Sequence, residues 1–311
     1  MNLKSLTIFV VLKILFTSCQ DHTDSPLHLF SNQIPSDSAS IFGEGIISTD
    51  GYEFAITSNP EMDEIFFTRR NPGENNAIYI MNFMDGAWST PEPAFLPSDE
   101  GWDFEPHVSP DGNRLYFGST RPLEDTLYAK GLYQWYSERT ETGWSRPVPL
   151  ESPFKDRFVM YLTSSQNGNL YFTSMEEGEP IADGGIYYSN SKNDEYADVH
   201  KMDKNINFPS SWIAYPYIAP DESYIIYDGE KESGFGENDL YISFKVNGSW
   251  SEANNLGPEI NTKQTEMCPS VSPDGKYLFF HRGDDETGSI YWIDFRPIKE
   301  RLLKNIHDRQ S

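Results

Sequence analysis

The chain carries only two cysteines, Cys19 and Cys268, in 311 residues. That scarcity excludes a disulfide framework, a CxxC redox pair and any zinc site built on several thiolates. The linear motifs of the common enzyme classes are missing as well: no GxSxG, no Walker A loop, no dinucleotide fingerprint and no HExxH. Its six histidines show no ligand spacing. Positive charge is also in short supply. Lysine and arginine total 24 against 48 acids, a formal charge of -24, so DNA, RNA or an anionic lipid surface is repelled at long range and nucleic acid is excluded as a partner. Most of that charge reads as a solvated surface rather than a binding face. The interior holds no long helical pattern, which leaves a β domain.

What is present is repetition. The stretch SPDGNRLYF (residues 109–117) places Ser-Pro-Asp-Gly before an apolar run, the signature of two strands joined by a tight hairpin. The same register returns as SNPEMDEIFF, SSQNGNLYF, IAPDESYIIY and VSPDGKYLFF. Counted from Pro60, Pro110, Gln166, Pro220 and Pro273, the units recur roughly every 50 to 56 residues, which is the spacing of propeller blades. Each continues through a polar loop into a third strand, such as NAIYIMNF, GGIYYSNS or GSIYWIDF. Trp88, Trp144 and Trp250 each mark a second hairpin leading to a fourth. Four strands, A to D, make one blade.

The expected fold is therefore all-β, a single five-bladed β-propeller of four-stranded blades, with six blades as the alternative. The fifth unit lacks a fourth strand, because FRPIKERLLKNIHDRQS after Asp294 is basic and helix-like. The orphan PLHLFSNQIP (residues 26–35) is expected to supply it and close the ring, since an open ring leaves sheet edges unpaired.

The PDG-x-x-L-x-F core at residues 110–117 and 273–280 resembles the WD40-like repeat of TolB-type β-propellers, over residues 27 to 295. Blocks such as YPYIAPDESYIIYDGE and NLGPEINT resemble a group of Bacteroidota lipoproteins of unassigned role. The resemblance implies an envelope propeller and names no activity. An apolar stretch of residues 6–16, interrupted by Lys13, ends in Phe16-Thr17-Ser18-Cys19 and reads as a lipoprotein signal with Cys19 as the acylated residue. Residues 1–19 are then signal, 20–26 a tether and 27–311 the propeller. The protein is expected to be an outer-membrane lipoprotein, facing the periplasm or the surface, touching the membrane only through its lipid. Cys268 is expected to be a small buried residue on an inner strand.

In a four-stranded blade the end where strand A begins and strand B finishes carries the B–C loops and the D–A crossings, so a ligand site belongs on that upper face, at the channel mouth. Reading the ends of strand B in register gives Arg69 and Arg70, Arg121, and His281 and Arg282; the crossings into strand A carry Glu53, Asp103, Glu105, His107 and Glu266. Guanidinium forks from blades one, two and five are expected to meet one anionic group. The two histidines are expected to pack or bond between blades. The candidate ligand-binding set is Arg69, Arg70, Glu105, His107, Arg121, Glu266, His281 and Arg282. No cofactor and no metal is expected, as the acidic loops at residues 228–239 and 282–289 lack EF-hand spacing. The reading is a monomeric, non-catalytic binder of an envelope protein or glycan. The alternative is a glycoside hydrolase or lyase acting on an acidic glycan, although the sialidase Asp-box spacing is absent.

Overall fold

The structure is a computed structural model. It describes residues 26–30, 34–95, 101–121, 123, 132–180, 183–193, 195–209, 212–284 and 286–310. Cys19, the signal and all but the last residue of the tether lie outside the described residues.

The fold is all-β and propeller-like, with twenty-three strands and one α-helix among the described residues. After β1 (Ser40–Ile41), the first group is β2 (Tyr52–Ser58), β3 (Glu64–Arg70), β4 (Ala77–Met84), β5 (Ala87–Trp88) and β6 (Glu92–Pro93). The second is β7 (Asp103–Val108), β8 (Arg114–Ser119), β9 (Tyr133–Thr140), β10 (Gly143–Trp144) and β11 (Val148–Pro149). The third is β12 (Met160–Ser164), β13 (Leu170–Ser174), β14 (Gly185–Ser189) and β15 (His200–Lys201). The fourth is β16 (Ile213–Ile218), β17 (Tyr224–Gly229), β18 (Asp239–Val246), β19 (Ser249–Trp250) and β20 (Asn254–Asn255). The fifth is β21 (Thr265–Val271), β22 (Tyr277–Gly283) and β23 (Gly288–Asp294), followed by α1 (Arg296–Gln310). Within each group the first three strands pair antiparallel in succession. The short outer strands pair antiparallel with the third: β5 and β6 with β4, β10 and β11 with β9, β15 with β14, and β19 and β20 with β18. The leading strands touch in sequence, β2 to β7 to β12 to β16 to β21, and β21 touches β2 again.

The second strand of every group is a nearly unbroken buried run. Neighbouring groups cover both of its faces, so the chain reads IFF, LYF, LYF, YIIY and YLFF rather than alternating. The turn before it requires a left-handed residue, at Met62, Gly112, Gly168, Glu222 and Gly275. In the second turn, Ser109 donates to Asp111 Oδ1 at 2.5 Å, and Ser109 Oγ accepts the Arg114 amide at 2.9 Å. Ser272 and Asp274 repeat that pattern in the fifth. This is why Ser-Pro-Asp-Gly marks the register.

The fifth group takes its outer strand from the N-terminal side, but not from the segment expected. Residues 26–30 form a 3-10 turn, and Ser40 and Ile41 instead pair antiparallel with Trp292 and Tyr291. The turn serves as a wedge. Leu27 and Phe30 pack with Phe42, Phe279 and Trp292, while the Trp88 indole donates to the Pro26 carbonyl at 3.1 Å. The C-terminal segment is helical as read, and Ile298 and Ile306 of α1 bury against Tyr224, Phe244 and Phe295.

Candidate functional site

Every leading strand contains the same irregularity. Its pairing slips by a residue, between Phe54 and Thr57, Phe104 and His107, Met160 and Thr163, Ala214 and Tyr217, and Met267 and Ser270. Inside each slip one residue adopts positive φ: Ala55, Glu105, Tyr161, Tyr215 and Cys268. Such bulges aim a side chain away from the sheet. Ala55, Tyr161, Tyr215 and Cys268 share one apolar cluster, drawn from four different groups, with Tyr161 edge-on to Tyr215 at 5.3 Å. Glu105, at the same position of the second group, is 4 % exposed. Around them stand half-buried Tyr52, Phe104, Leu132, Phe158, Trp212 and Met267. All of these lie toward the end where leading strands begin, so the five groups build one aromatic mouth over a plugged centre.

The bulge also frees a backbone N–H, and the preceding group accepts it. The Glu105 amide donates to Thr68 Oγ1 at 2.9 Å, and the Tyr215 amide to Thr173 Oγ1 at 2.9 Å. Where the equivalent acceptor would come from Gly118, the Glu105 carboxylate replaces it and takes the Tyr161 amide at 2.7 Å. A second layer of amide donors lies three residues further along: the Val108 amide donates to Thr57, Ser164 to His107 and Ile218 to Thr163.

His107 and His281 belong to these seams. The Ser164 amide reaches His107 Nε2 at 2.9 Å, so that nitrogen carries no proton, and burial pushes the imidazole down to about 3. His281 donates from Nδ1 to the Glu53 carbonyl at 2.7 Å, while its Nε2 has no partner among the described residues; burial holds it at about 4. Both rings are neutral hydrogen-bonding pieces at ordinary pH.

The arginines come to the mouth's end of the fold, each bound within its own group. Arg69 pairs with Glu53 at 3.1 Å and also donates to the Ile46 and Ile47 carbonyls. Arg282 pairs with Glu266 at 2.8 Å and donates to the Ile260 carbonyl. Arg121 pairs with Asp103 at 2.5 Å. The acid of each strong pair is fixed in turn: Thr49 donates to Glu53, and Thr262 to Glu266. The expected convergence of three open forks on one anion is thus replaced by three local clamps, a consequence of register, since Glu53 faces Arg69 and Glu266 faces Arg282 across adjacent strands. Arg70 lies over the Tyr52 ring at 4.6 Å.

Sequence reasoning missed Asp228. It occupies the β17 position matching Thr68, Thr173 and His281, opposite Ala214, and is fully buried. The Trp212 indole donates to its Oδ2 at 3.0 Å, and its Oδ1 has no partner among the described residues. Burial raises its pKa well above the usual carboxylate range, and raises that of Glu105 to about 8 despite the Tyr161 hydrogen bond. Burial thus favours the protonated form of both acids, and Glu105 keeps its proton at neutral pH. The signal was available: an Asp in a strand register otherwise filled by Thr, Gly or His. Cys268 is buried as read, and burial pushes its thiol up, away from nucleophilic use. No group of three metal-ligating side chains occurs among the described residues. In the loop of residues 228–239, the Asp239 carboxylate is occupied by the Phe235 and Gly236 amides and by Asn255.

No protein-family model matches the chain. No characterised protein matches it by sequence. Solved structures do resemble it. An alpha-L-arabinofuranosidase from Lactobacillus brevis superposes with a TM-score of 0.50 at 14% identity, over 83% of this chain and 91% of that one. TolB from Acinetobacter baumannii gives 0.46 at 16% identity over 78% of this chain and 54% of that one, so the chain spans about half the length of that relative. A Trypanosoma rangeli sialidase in complex with the inhibitor DANA gives 0.47 at 12% identity, over 91% of this chain and 61% of that one. The likeness is one of fold.

Proposed function

We propose that the chain is a five-bladed ring, closed by β1, that binds an envelope protein or glycan through its upper face and does not catalyse a reaction. The observation that carries this reading is the aromatic mouth to which all five groups contribute. Exposed Trp102 and Phe235, and Ile46, extend the apolar surface at the same end, where they flank the loops into strands A and C. Exposed aromatic side chains of this kind anchor partners with little loss of conformational entropy. Phe235 is presented by a loop whose amides are tied to Asp239. The candidate catalytic carboxylates serve other ends: Glu266 is clamped by Arg282 and Glu105 is a buried seam acceptor. A hydrolase of acidic glycans would need an acid and a second carboxylate open to substrate.

The location belongs to the same proposal: lipid attachment at Cys19, delivering the ring to the outer membrane as a monomer. The test is capture of partners from a Bacteroidota envelope extract, with a glycan array in parallel, using wild type and Trp102→Ala/Phe235→Ala. Loss of the captured partner or glycan in the double variant, at unchanged melting temperature, supports the upper face. Retention of binding by that variant, or cleaved oligosaccharide among the products, overturns it. Palmitate labelling lost in Cys19→Ala checks the anchor.

A further inference from the structure

Seven large apolar side chains are exposed among the described residues, and three of them, Leu29 at 53 %, Ile34 at 41 % and Met84 at 65 %, lie at the end opposite the mouth. Met84 ends β4 just beyond Asn82, which pairs with Glu64 where β3 begins. Ile34 precedes Pro35, whose carbonyl accepts the Asp294 amide at 2.8 Å at the lower end of β23, and Leu29 belongs to the wedge. These pieces form one corner. Leu27 fills the cleft between Ile56 and Ile65 of the first group and Val271 and Phe279 of the fifth. The Phe30 ring lies 5.3 Å from that of Trp88, which in turn lies 5.4 Å from Phe83, the neighbour of Met84. Exposed apolar side chains gathered in one place mark a surface that something covers. The chain itself says what is near. Cys19 lies seven positions before Pro26, a length of chain that spans at most about 25 Å, and the Pro26 carbonyl is pinned to the Trp88 indole at this corner. A group attached to Cys19 therefore stays close to Leu29 and Met84. The net charge of -24 disfavours an anionic surface there and leaves a zwitterionic one.

We propose that this lower corner rests on a zwitterionic phospholipid surface, with Leu29, Ile34 and Met84 entering the headgroup region and the mouth turned away from the membrane. The inference rests on the reading of Cys19 as the acylated residue, and it adds a contact made by the protein to the one made by the lipid. Apolar side chains at such a boundary gain by leaving water, and the acyl chain supplies the proximity that three side chains alone do not. The orientation follows from topology. Leading strands begin at the mouth and finish at the turns of the lower end, so a ring set down on its lower corner presents Trp102 and Phe235 to the opposite side.

The test uses the acylated chain, purified from the membranes of a Gram-negative host and placed in phosphatidylcholine vesicles that carry a doxyl-labelled phospholipid. Cys268 is buried and Cys19 carries the lipid, so a bimane label reacts only with the cysteine introduced by Leu29→Cys, Met84→Cys or Trp102→Cys. The expected result is at least twofold quenching of the label at positions 29 and 84 and none at position 102, with the melting temperature of each variant unchanged. Should Leu29→Cys disturb the wedge, Met84→Cys against Trp102→Cys decides alone. Quenching at position 102 equal to that at 84, or no quenching at 84 in a chain that incorporates palmitate at Cys19, overturns the corner while the anchor stands. A dimer in detergent whose position-84 labels are shielded from the doxyl lipid assigns the corner to a second copy and overturns it as well. Absence of palmitate at Cys19 overturns the anchor reading and this inference with it, whatever Trp102 and Phe235 capture.

Discussion

Glu105 Oε2 accepts the backbone amide of Tyr161 at 2.7 Å across the seam between the second and third strand groups. A carboxyl group does there what a threonine hydroxyl does at two other seams, because the corresponding position in the second group is Gly118 and offers no side chain. The substitution joins a structural contact to a titrating group, and its consequences are measurable.

Burial raises the Glu105 pKa from 4.5 to about 8, so the native state keeps a proton that the unfolded chain gives up. The stability this group contributes is fully present below pH 4.5 and is lost as pH rises through about 8. Glu105→Gln keeps an acceptor for Tyr161 and removes the titration. It is expected to be more stable than wild type by on the order of 3 kcal/mol at pH 7, with the advantage vanishing near pH 4. Urea melts at four pH values measure the difference.

The histidines act in the opposite direction. Burial holds His107 at about 3, below its ordinary 6.5, so the unfolded chain takes up a proton that the native state refuses. Stability falls as pH drops from 6.5 toward about 3, by about 1.4 kcal/mol per pH unit at most. His107→Gln, which can still accept the Ser164 amide, is expected to flatten that slope relative to wild type. Acid unfolding followed by tryptophan fluorescence reads it.

The Arg282–Glu266 clamp predicts an asymmetric double-mutant cycle. Their side chains are 11 % and 0 % exposed, so Arg282→Met leaves a buried carboxylate without its cation and should cost about 3 to 5 kcal/mol. Adding Glu266→Gln removes the unpaired charge and should recover much of that loss. Thermal melts of the two single variants and the double variant decide it; a loss in Arg282→Met that the second change does not reduce would falsify the clamp.

Phe42 tests the N-terminal closure. It is fully buried against Phe30, Phe279 and Trp292, next to the two residues that pair with β23. Phe42→Ala is expected to cost about 3 to 5 kcal/mol and to raise hydrogen exchange along β23 before the other strands. Uniform exchange across all groups would show that the segment does not close the last one.

The sequence by itself determined the repeated unit, because a turn that needs a left-handed residue and a strand buried on both faces leave marks that stand together in the chain, as in SPDGNRLYF and VSPDGKYLFF. It also placed Arg69, Arg121, His281 and Arg282 at one end of their strands, since alternation and register are local properties. Which partner each of them takes was decided only in three dimensions. Glu53 and Arg69 are sixteen residues apart and meet through a bulged pairing whose slip no local pattern reveals. The strand beside β23 is Ser40 and Ile41 rather than the proline-flanked segment, whose Leu27 and Phe30 pack instead against Phe42, Phe279 and Trp292, a contact made only in the folded chain. For Asp228 the register position was legible in the chain, whereas its full burial and the lack of a partner for its Oδ1 among the described residues follow only from packing.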